Sequence, residues 1–155
     1  MRLISGDGLR RVAIHEAGHA FVRLKSGDVL SRIGYIFIGP RADGSLGFVA
    51  RQPDLDSSTL GRVDYMKLLE VILAGRAAEE MFFSAAGVGA GAGGSESSDL
   101  AKPTEIALDM VCHMGLGRSS RLIWHRTPTE KDRIEAEELI AESYASCKGT
   151  YLETS

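Results

Sequence analysis

The segment His-Glu-Ala-Gly-His at positions 15–19 constrains the fold of this chain more than any other feature. Apolar and small residues flank it, and their spacing predicts one helix from about Leu9 to Lys25. Histidines four positions apart lie on one face of a helix, where their imidazoles can bind one metal ion together. We therefore expect His15 and His19 to be two ligands of a zinc ion.

Glu16 adjoins the first histidine and faces the same pocket, although it cannot easily reach the metal itself. Zinc lowers the pKa of a bound water to about 7. A nearby carboxylate can take a proton from that water and pass it to a leaving amine. Glu16 is therefore the predicted general base of a hydrolase. The alternative is a chance match, with two histidines on an amphipathic helix that bind no metal.

A third zinc ligand must come from elsewhere, because a catalytic zinc normally takes three protein ligands and keeps one position open. The candidates are later carboxylates and histidines, namely Glu79, Glu80, Asp99, His113 and His125. Each also has a plainer role. The glutamates can lie on a solvated helix face, Asp99 can be an N-cap, and the histidines can be surface residues. The residues alone leave this choice open.

Periodicity predicts a small β-hairpin and three more helices after the first helix. The predicted elements are strands over 31–38 and 45–51, and helices over 59–83, 99–114 and about 127–147. An Asp-Gly turn joins the two strands. The last helix is predicted to open with a capping box at positions 127–130 and to end before Gly149. The expected fold is mainly α with one small β-hairpin.

The bulk properties predict one domain over residues 1–155, long enough to bury a core without disulfides. The formal net charge is −3 and the basic residues are scattered among acids, so no nucleic-acid partner is expected. No apolar stretch has the about 18 residues of a membrane span. Cys112 and Cys147 fit no paired spacing, which indicates reduced thiols in a cytoplasmic domain.

With these motifs in view, the chain resembles the peptidase domain of FtsH-type AAA proteases, the M41 metallopeptidases. Residues 11–20 resemble the active-site helix of that family, and Leu46-Gly47-Phe48-Val49 resembles the strand after it. Residues 73–80 are similar to a second signature helix. The run Ser97-Ser98-Asp99-Leu100 resembles the segment with the third zinc ligand. The resemblance covers about residues 9–148.

The resemblance implies that Asp99 is the third ligand, ahead of Glu79 and Glu80. It implies a helical M41-type zinc metallopeptidase domain with a zincin-like helix, one zinc ion per chain and a homo-hexameric ring. In the family, an ATPase module feeds unfolded polypeptide to that ring. No Gly-x-x-x-x-Gly-Lys-[Ser/Thr] motif occurs here, so ATP is expected only through a module of a longer protein, for which association with a membrane stays an open alternative.

Residues 101–104 read Ala-Lys-Pro-Thr where the family usually has Glu-Arg-Ala-Thr. A proline lacks the backbone donor and disfavours helical angles in the preceding residue. If Asp99 is the N-cap, Pro103 falls at the fourth helical position and one backbone bond is lost. If the helix instead starts at Pro103, Asp99 shifts. Of the predicted site residues, Asp99 is the one whose placement depends most on this difference from the family pattern.

Two further hypotheses concern packing and substrate. The small residues of the segment 74–78 are expected to pack on Ala17 and Gly18. The strand Leu46-Gly47-Phe48-Val49 is expected to be an edge strand on which an extended substrate can pair, although an ordinary hairpin strand is the alternative.

Two other classes compete with the endopeptidase. One is a catalytically silent, ring-forming assembly module, which would not need Glu16. The other is a different zinc hydrolase such as an amidase, which would not need the helix at 73–80.

Overall fold

The computed structural model describes residues 6–27, 33–39, 46–51, 59–90, 94, 96, 98–119 and 122–153. Within these ranges the elements are α1 (Gly6–Lys25), β1 (Ile33–Ile38), β2 (Gly47–Arg51), α2 (Arg62–Phe83), α3 (Ala101–Cys112) and α4 (Glu130–Leu152). A short 3-10 turn, Ala85–Gly87, follows α2. The prediction of a mainly helical fold with a small hairpin is confirmed. The predicted Asp-Gly turn lies outside the described residues.

Helix α2 packs against α1, α3 and α4 and contributes side chains to two apolar clusters. The larger cluster joins α2, α3 and α4 around Leu69, Met110 and Leu139, all fully buried. The smaller cluster joins α1, α2 and α4 and contains Val22 and Val71. Each fully buried side chain of this size stabilises the fold by about 1.5–3 kcal/mol. None of the described helices combines the length and apolar character of a membrane span.

Helices α1 and α2 approach each other closely at Gly18. A Cβ at this position would lie 2.6 Å from the Ala74 carbonyl oxygen and 2.7 Å from the Ala78 Cβ. A residue with any side chain would therefore push the helices apart. The predicted packing of small residues is confirmed for Gly18, whereas Ala17 is exposed. The close contact brings the histidines of α1 within reach of the α2 backbone.

Helix α3 begins at Ala101, so neither predicted start is correct. Pro103 is the third helical residue, and the first backbone N–H groups of a helix have no acceptor within the helix. The missing donor of Pro103 therefore removes no helical hydrogen bond. The Ser98 Oγ accepts the Ala101 N–H at 3.1 Å and helps to cap the helix. Asp99 is not needed as a cap, and its carboxylate turns towards α1.

Helix α4 has its capping box two residues later than predicted. Thr129 is the N-cap, Asp132 is its partner, and Pro128 precedes the cap instead of opening the helix. The helix also continues past Gly149 to Leu152. Its last turn is held by Tyr151, whose hydroxyl donates to the Ala74 carbonyl oxygen at 2.9 Å. This contact adds to the packing that fixes α4 against α2.

Candidate metal centre

Three potential ligand atoms converge between α1 and the turn before α3. The Nε2 atoms of His15 and His19 lie 3.1 Å apart, and they lie 2.8 and 3.0 Å from the Asp99 Oδ2. Among the described residues, these three form the one group of histidine, cysteine and carboxylate side chains close enough to share a metal ion. The fold thus brings together two residues of one helix and a carboxylate from a distant part of the chain.

The donor set suits zinc, which binds histidine nitrogens and carboxylate oxygens. Tetrahedral zinc bonds of about 2.0–2.1 Å place ligand atoms about 3.3 Å apart. The observed separations of 2.8–3.1 Å therefore need to widen by only a few tenths of an ångström. The three side chains keep 13–21% of their surface exposed, which leaves a face of the site open. A zinc ion with three protein ligands and an accessible position fits this arrangement.

One face of α2 orients both histidine rings through contacts with their Nδ1 atoms. The His19 Nδ1 lies 2.8 Å from the Val71 carbonyl oxygen, and the His15 Nδ1 lies 2.7 Å from the Glu79 Oε1. A carbonyl oxygen only accepts hydrogen bonds, so the proton of neutral His19 is on Nδ1. The lone pair of Nε2 is then available to a metal. Partners of this kind fix the tautomer and ring orientation of metal-binding histidines.

Gly75 lies between Val71 and Glu79 on the same face of α2. A Cβ at position 75 would lie 2.5 Å from the His19 Nε2 and 2.6 Å from the His15 Nε2. Real Cβ atoms do not approach other atoms this closely, so only glycine leaves space for both rings.

Glu16 is buried beside the histidine pair and lies under the start of β2. Its exposed fraction is 7%, and burial raises the pKa of its carboxyl group against the opposing effect of His19 and His15. A Cβ at Gly47 would lie 2.7 Å from the Glu16 Oε1. The backbone at Gly47 therefore covers the carboxylate. A carboxyl group with a raised pKa next to a metal site is suited to proton transfer near neutral pH.

The charges of the site favour a cation at the point of convergence. Burial lowers the pKa of His15, but the hydrogen bond and charge of Asp99, with Glu79, outweigh it, so that the pKa is raised. Burial raises the pKa of Asp99, but the two histidines lower it well below its usual range. The carboxylates of Asp99 and Glu79 thus stabilise positive charge at the histidines. The same carboxylates favour a divalent cation at this point.

The other predicted candidates are held elsewhere. The Glu80 carboxylate accepts hydrogen bonds from the Tyr144 hydroxyl and from the Lys148 ammonium. His113 Nδ1 pairs with an Asp109 oxygen at 2.8 Å, and His125 Nδ1 with an Asp132 oxygen at 2.7 Å. The Glu79 Oε1 contacts the Nδ1 of His15, on the side of the ring away from the three converging atoms. None of the four belongs to the cluster.

Sequence reasoning assigned Arg11 no role in this site, and it placed Gly75 only among the small residues expected to pack on Ala17 and Gly18. The Arg11 guanidinium lies 3.1 Å from the Glu79 Oε2, which is otherwise buried. Arg11 stands four positions before His15, so its place on the ligand face of α1 could have been recognised. The role of Gly75 had no comparable signal, because it depends on how α1 and α2 cross.

Comparison with known proteins gives the family. The model of peptidase family M41 matches residues 2–150. The chain is 35% identical over 132 residues to an ATP-dependent zinc metalloprotease FtsH of Thermotoga maritima, covering 83% of this chain and 20% of that protein. It is 36% identical over 114 residues to an FtsH of Methylibium petroleiphilum, covering 74% and 17%.

A relative from an animal has a similar percentage identity. The chain is 36% identical over 115 residues to an ATP-dependent zinc metalloprotease YME1 homolog of Caenorhabditis elegans, covering 74% of this chain and 15% of that protein. The chain therefore spans a fifth or less of the length of these relatives. The match over nearly the whole chain agrees with the resemblance of its motifs and with its helical fold. This chain belongs to peptidase family M41, a family of metallopeptidases.

Proposed function

We propose that this domain is the zinc-dependent endopeptidase module of an ATP-dependent protease. His15, His19 and Asp99 bind one zinc ion, and Glu16 is the general base. The observation that carries the proposal is the convergence of two Nε2 atoms and one carboxylate oxygen beside a buried glutamate. The name of each relative, an ATP-dependent zinc metalloprotease, supports the same activity and an ATPase partner.

Zinc at such a site supplies Lewis acidity, which polarises a peptide carbonyl and acidifies water. The protein residues then divide the remaining work. The Glu16 carboxylate takes a proton from the attacking water and returns it to the nitrogen of the leaving amine. Burial makes this carboxylate a stronger base than an exposed glutamate, because its charged form is less well solvated. Val71 and Glu79 keep the histidine rings oriented throughout.

We propose that the substrate pairs with β2. Strand β2 is antiparallel to β1, with Ile38 opposite Gly47 and Ile36 opposite Val49. The Gly39 N–H donates to the Leu46 carbonyl oxygen at 2.8 Å. Hydrogen-bonded and non-hydrogen-bonded pairs alternate in such a ladder. Gly47 and Val49 therefore turn their backbone groups away from β1.

This register supports binding of an extended peptide next to the general base. Gly47 lies against Glu16, so a peptide paired with its outward backbone groups would lie close to that carboxylate. Leu46 is exposed at the start of the strand, and Phe48 packs near Phe37. Backbone pairing needs no particular side chain. It therefore suits unfolded polypeptide as the substrate class, delivered by an ATPase module to a homo-hexamer.

The test compares the zinc-loaded chain with Glu16→Gln on a short unstructured peptide that needs no unfolding or translocation. We expect both proteins to bind one zinc ion. We expect hydrolysis by the variant to fall by about 10²–10⁴-fold, the typical contribution of a general base. Cleavage measured by mass spectrometry and zinc measured in the same samples separate the outcomes. Zinc binding without any wild-type hydrolysis would contradict the proposal and favour a silent, ring-forming module.

A further inference from the structure

Arg11 lies on α1 one turn before His15 and reaches across to α2. Its NH1 atom donates to the Glu79 Oε2 at 3.1 Å. The Glu79 side chain is only 3% exposed, whereas that of Arg11 is 37% exposed. A buried carboxylate is costly unless it is paired and hydrogen-bonded. Arg11 supplies the charge partner of Glu79 at the edge of the metal centre.

Glu79 divides its two carboxylate oxygens between different partners. Oε1 accepts from the His15 Nδ1 at 2.7 Å. Oε2 accepts from Arg11 and from the Gly89 N–H, the latter at 2.8 Å. A planar carboxylate whose Oε2 is held from two directions has little freedom to rotate. Fixing Oε2 therefore directs Oε1 at the His15 ring.

The guanidinium of Arg11 is itself held in place from two sides. It donates to the Gly87 carbonyl oxygen, and its central carbon lies 4.5 Å from the centroid of the Phe83 ring. Arginine commonly stacks on aromatic faces in this way. Gly87 and Gly89 belong to the segment that leaves the end of α2. Arg11 thus joins α1, the end of α2 and this segment around one carboxylate.

We propose that Arg11 is a positioning residue for the metal centre, acting through Glu79 on the ring of His15. The chain of contacts runs from the Gly87 carbonyl and Gly89 N–H, through Arg11 and Glu79, to the His15 Nδ1. It makes the affinity for zinc depend on how the segment after α2 is held. The inference rests on the proposed zinc site, but it concerns a residue outside the three proposed ligands and the proposed general base.

The test measures zinc affinity by competition with a chromophoric chelator for the wild type, Arg11→Gln, Arg11→Lys and Arg10→Gln. Removing a direct hydrogen-bond partner of a ligand typically weakens metal binding by 10–100-fold. Since Arg11 acts one contact further away, we expect about 3–10-fold weaker binding in Arg11→Gln. Arg11→Lys keeps a cation beside Glu79 and should recover most of the loss. Arg10 is exposed on the same helix, and its central guanidinium carbon also lies near Phe83, 6.0 Å from the ring centroid. Arg10→Gln is the matched control, because it removes a positive charge beside Phe83 and leaves the Arg11–Glu79 pair in place, so it should have no effect on zinc affinity.

Two further readouts separate positioning from a general loss of stability. If Arg11 acts through Glu79, adding Arg11→Gln to Glu79→Gln should weaken zinc binding no further. In the zinc-loaded chain, the low-field proton resonance of the His15 Nδ1–H should shift in Arg11→Gln and return in Arg11→Lys. Unchanged affinity and resonance in Arg11→Gln would overturn the inference, as would additive losses in the double variant. A wild type that binds no zinc would instead overturn the proposed function.

Discussion

The Nε2 atoms of His15 and His19 can point at one spot because α2 has no side chain at Gly75. The His-Glu-x-x-His spacing predicted that these histidines share a helix face, and family resemblance brought in Asp99. Helical spacing could have placed Arg11 on the ligand face, and Gly75 belonged to the small residues expected to pack on α1, but no local pattern indicated the contacts that these two residues make in the site. Their roles arise only where α1 crosses α2, at the close contact of Gly18 with Ala74. The proposed ligands and the proposed base could thus be named from the sequence, whereas the space that Gly75 leaves for the histidine rings could not.

Gly75→Ala tests this steric requirement. A methyl group there must displace one or both histidine rings, so we expect zinc affinity to fall by about 10–100-fold, as for loss of a residue that orients a ligand. Alanine is the better helix former by about 1 kcal/mol, so the free energy of unfolding should change much less than metal affinity. Zinc titration and denaturant unfolding measure the two quantities.

Gly149→Ala is the matched control for this substitution. Gly149 lies within α4, and a Cβ there would meet no atom within 4 Å. This change should leave zinc affinity unaltered. If Gly75→Ala bound zinc as tightly as the wild type, the claim that a side chain at position 75 displaces the histidine rings would be wrong.

At the scale of elements, the helices were predicted well and their ends less well. The start of α4 was misplaced because Pro128 favoured a helix opening at Thr127. The helix instead begins after Thr129, which forms the capping box with Asp132. Asp132 also contacts His125, which belongs to the preceding loop. That contact joins a loop to a helix, so the local pattern of capping residues did not reveal it.

Asp132→Ala should destabilise the fold at neutral pH by about 1–2 kcal/mol, because it removes the capping-box partner of Thr129 and the hydrogen bond with His125. Glu130→Ala, an exposed change in the same turn, should cost less than about 0.5 kcal/mol. Denaturant unfolding followed by circular dichroism gives both values. Equal losses in the two variants would contradict the proposed role of Asp132.

The contribution of Asp132 should also depend on pH. Hydrogen bonds from Thr129 and His125 lower the pKa of Asp132 from 3.8 to about 2. A group whose pKa is lower in the folded state adds stability above its unfolded pKa and loses it as the pH falls through the folded value. The ionisation-linked part of the difference between wild type and Asp132→Ala should therefore be constant above about pH 5 and shrink towards pH 2. A difference that grew on acidification would contradict this assignment.

The edge of β2 gives a prediction for substrate binding. Val49 turns its backbone N–H away from β1, so Val49→Pro removes a donor that a paired substrate would use. We expect KM for an unstructured peptide to rise several-fold while zinc content stays at one ion per chain. Steady-state kinetics on the peptide gives this value. An unchanged KM would place the substrate elsewhere.

At the scale of the whole molecule, the fold brings together residues that are far apart in sequence. His15 and Asp99 are separated by 84 positions, and α1 meets the start of α3 only because both pack around α2. The helical class followed from periodicity, but this arrangement required the structure. It also accommodates Pro103, whose position in the first turn of α3 leaves Asp99 directed at the histidines.

The central claim is that His15, His19 and Asp99 together hold one zinc ion, and metal content tests it most directly. Bound zinc would be measured by atomic emission after exhaustive dialysis in the wild type, Asp99→Ala, Glu79→Ala and Glu80→Ala. We predict one zinc ion per chain in the wild type and in Glu80→Ala, none in Asp99→Ala, and weakened but recoverable binding in Glu79→Ala. Full zinc retention in Asp99→Ala, or none in the wild type after reconstitution, would contradict the claim.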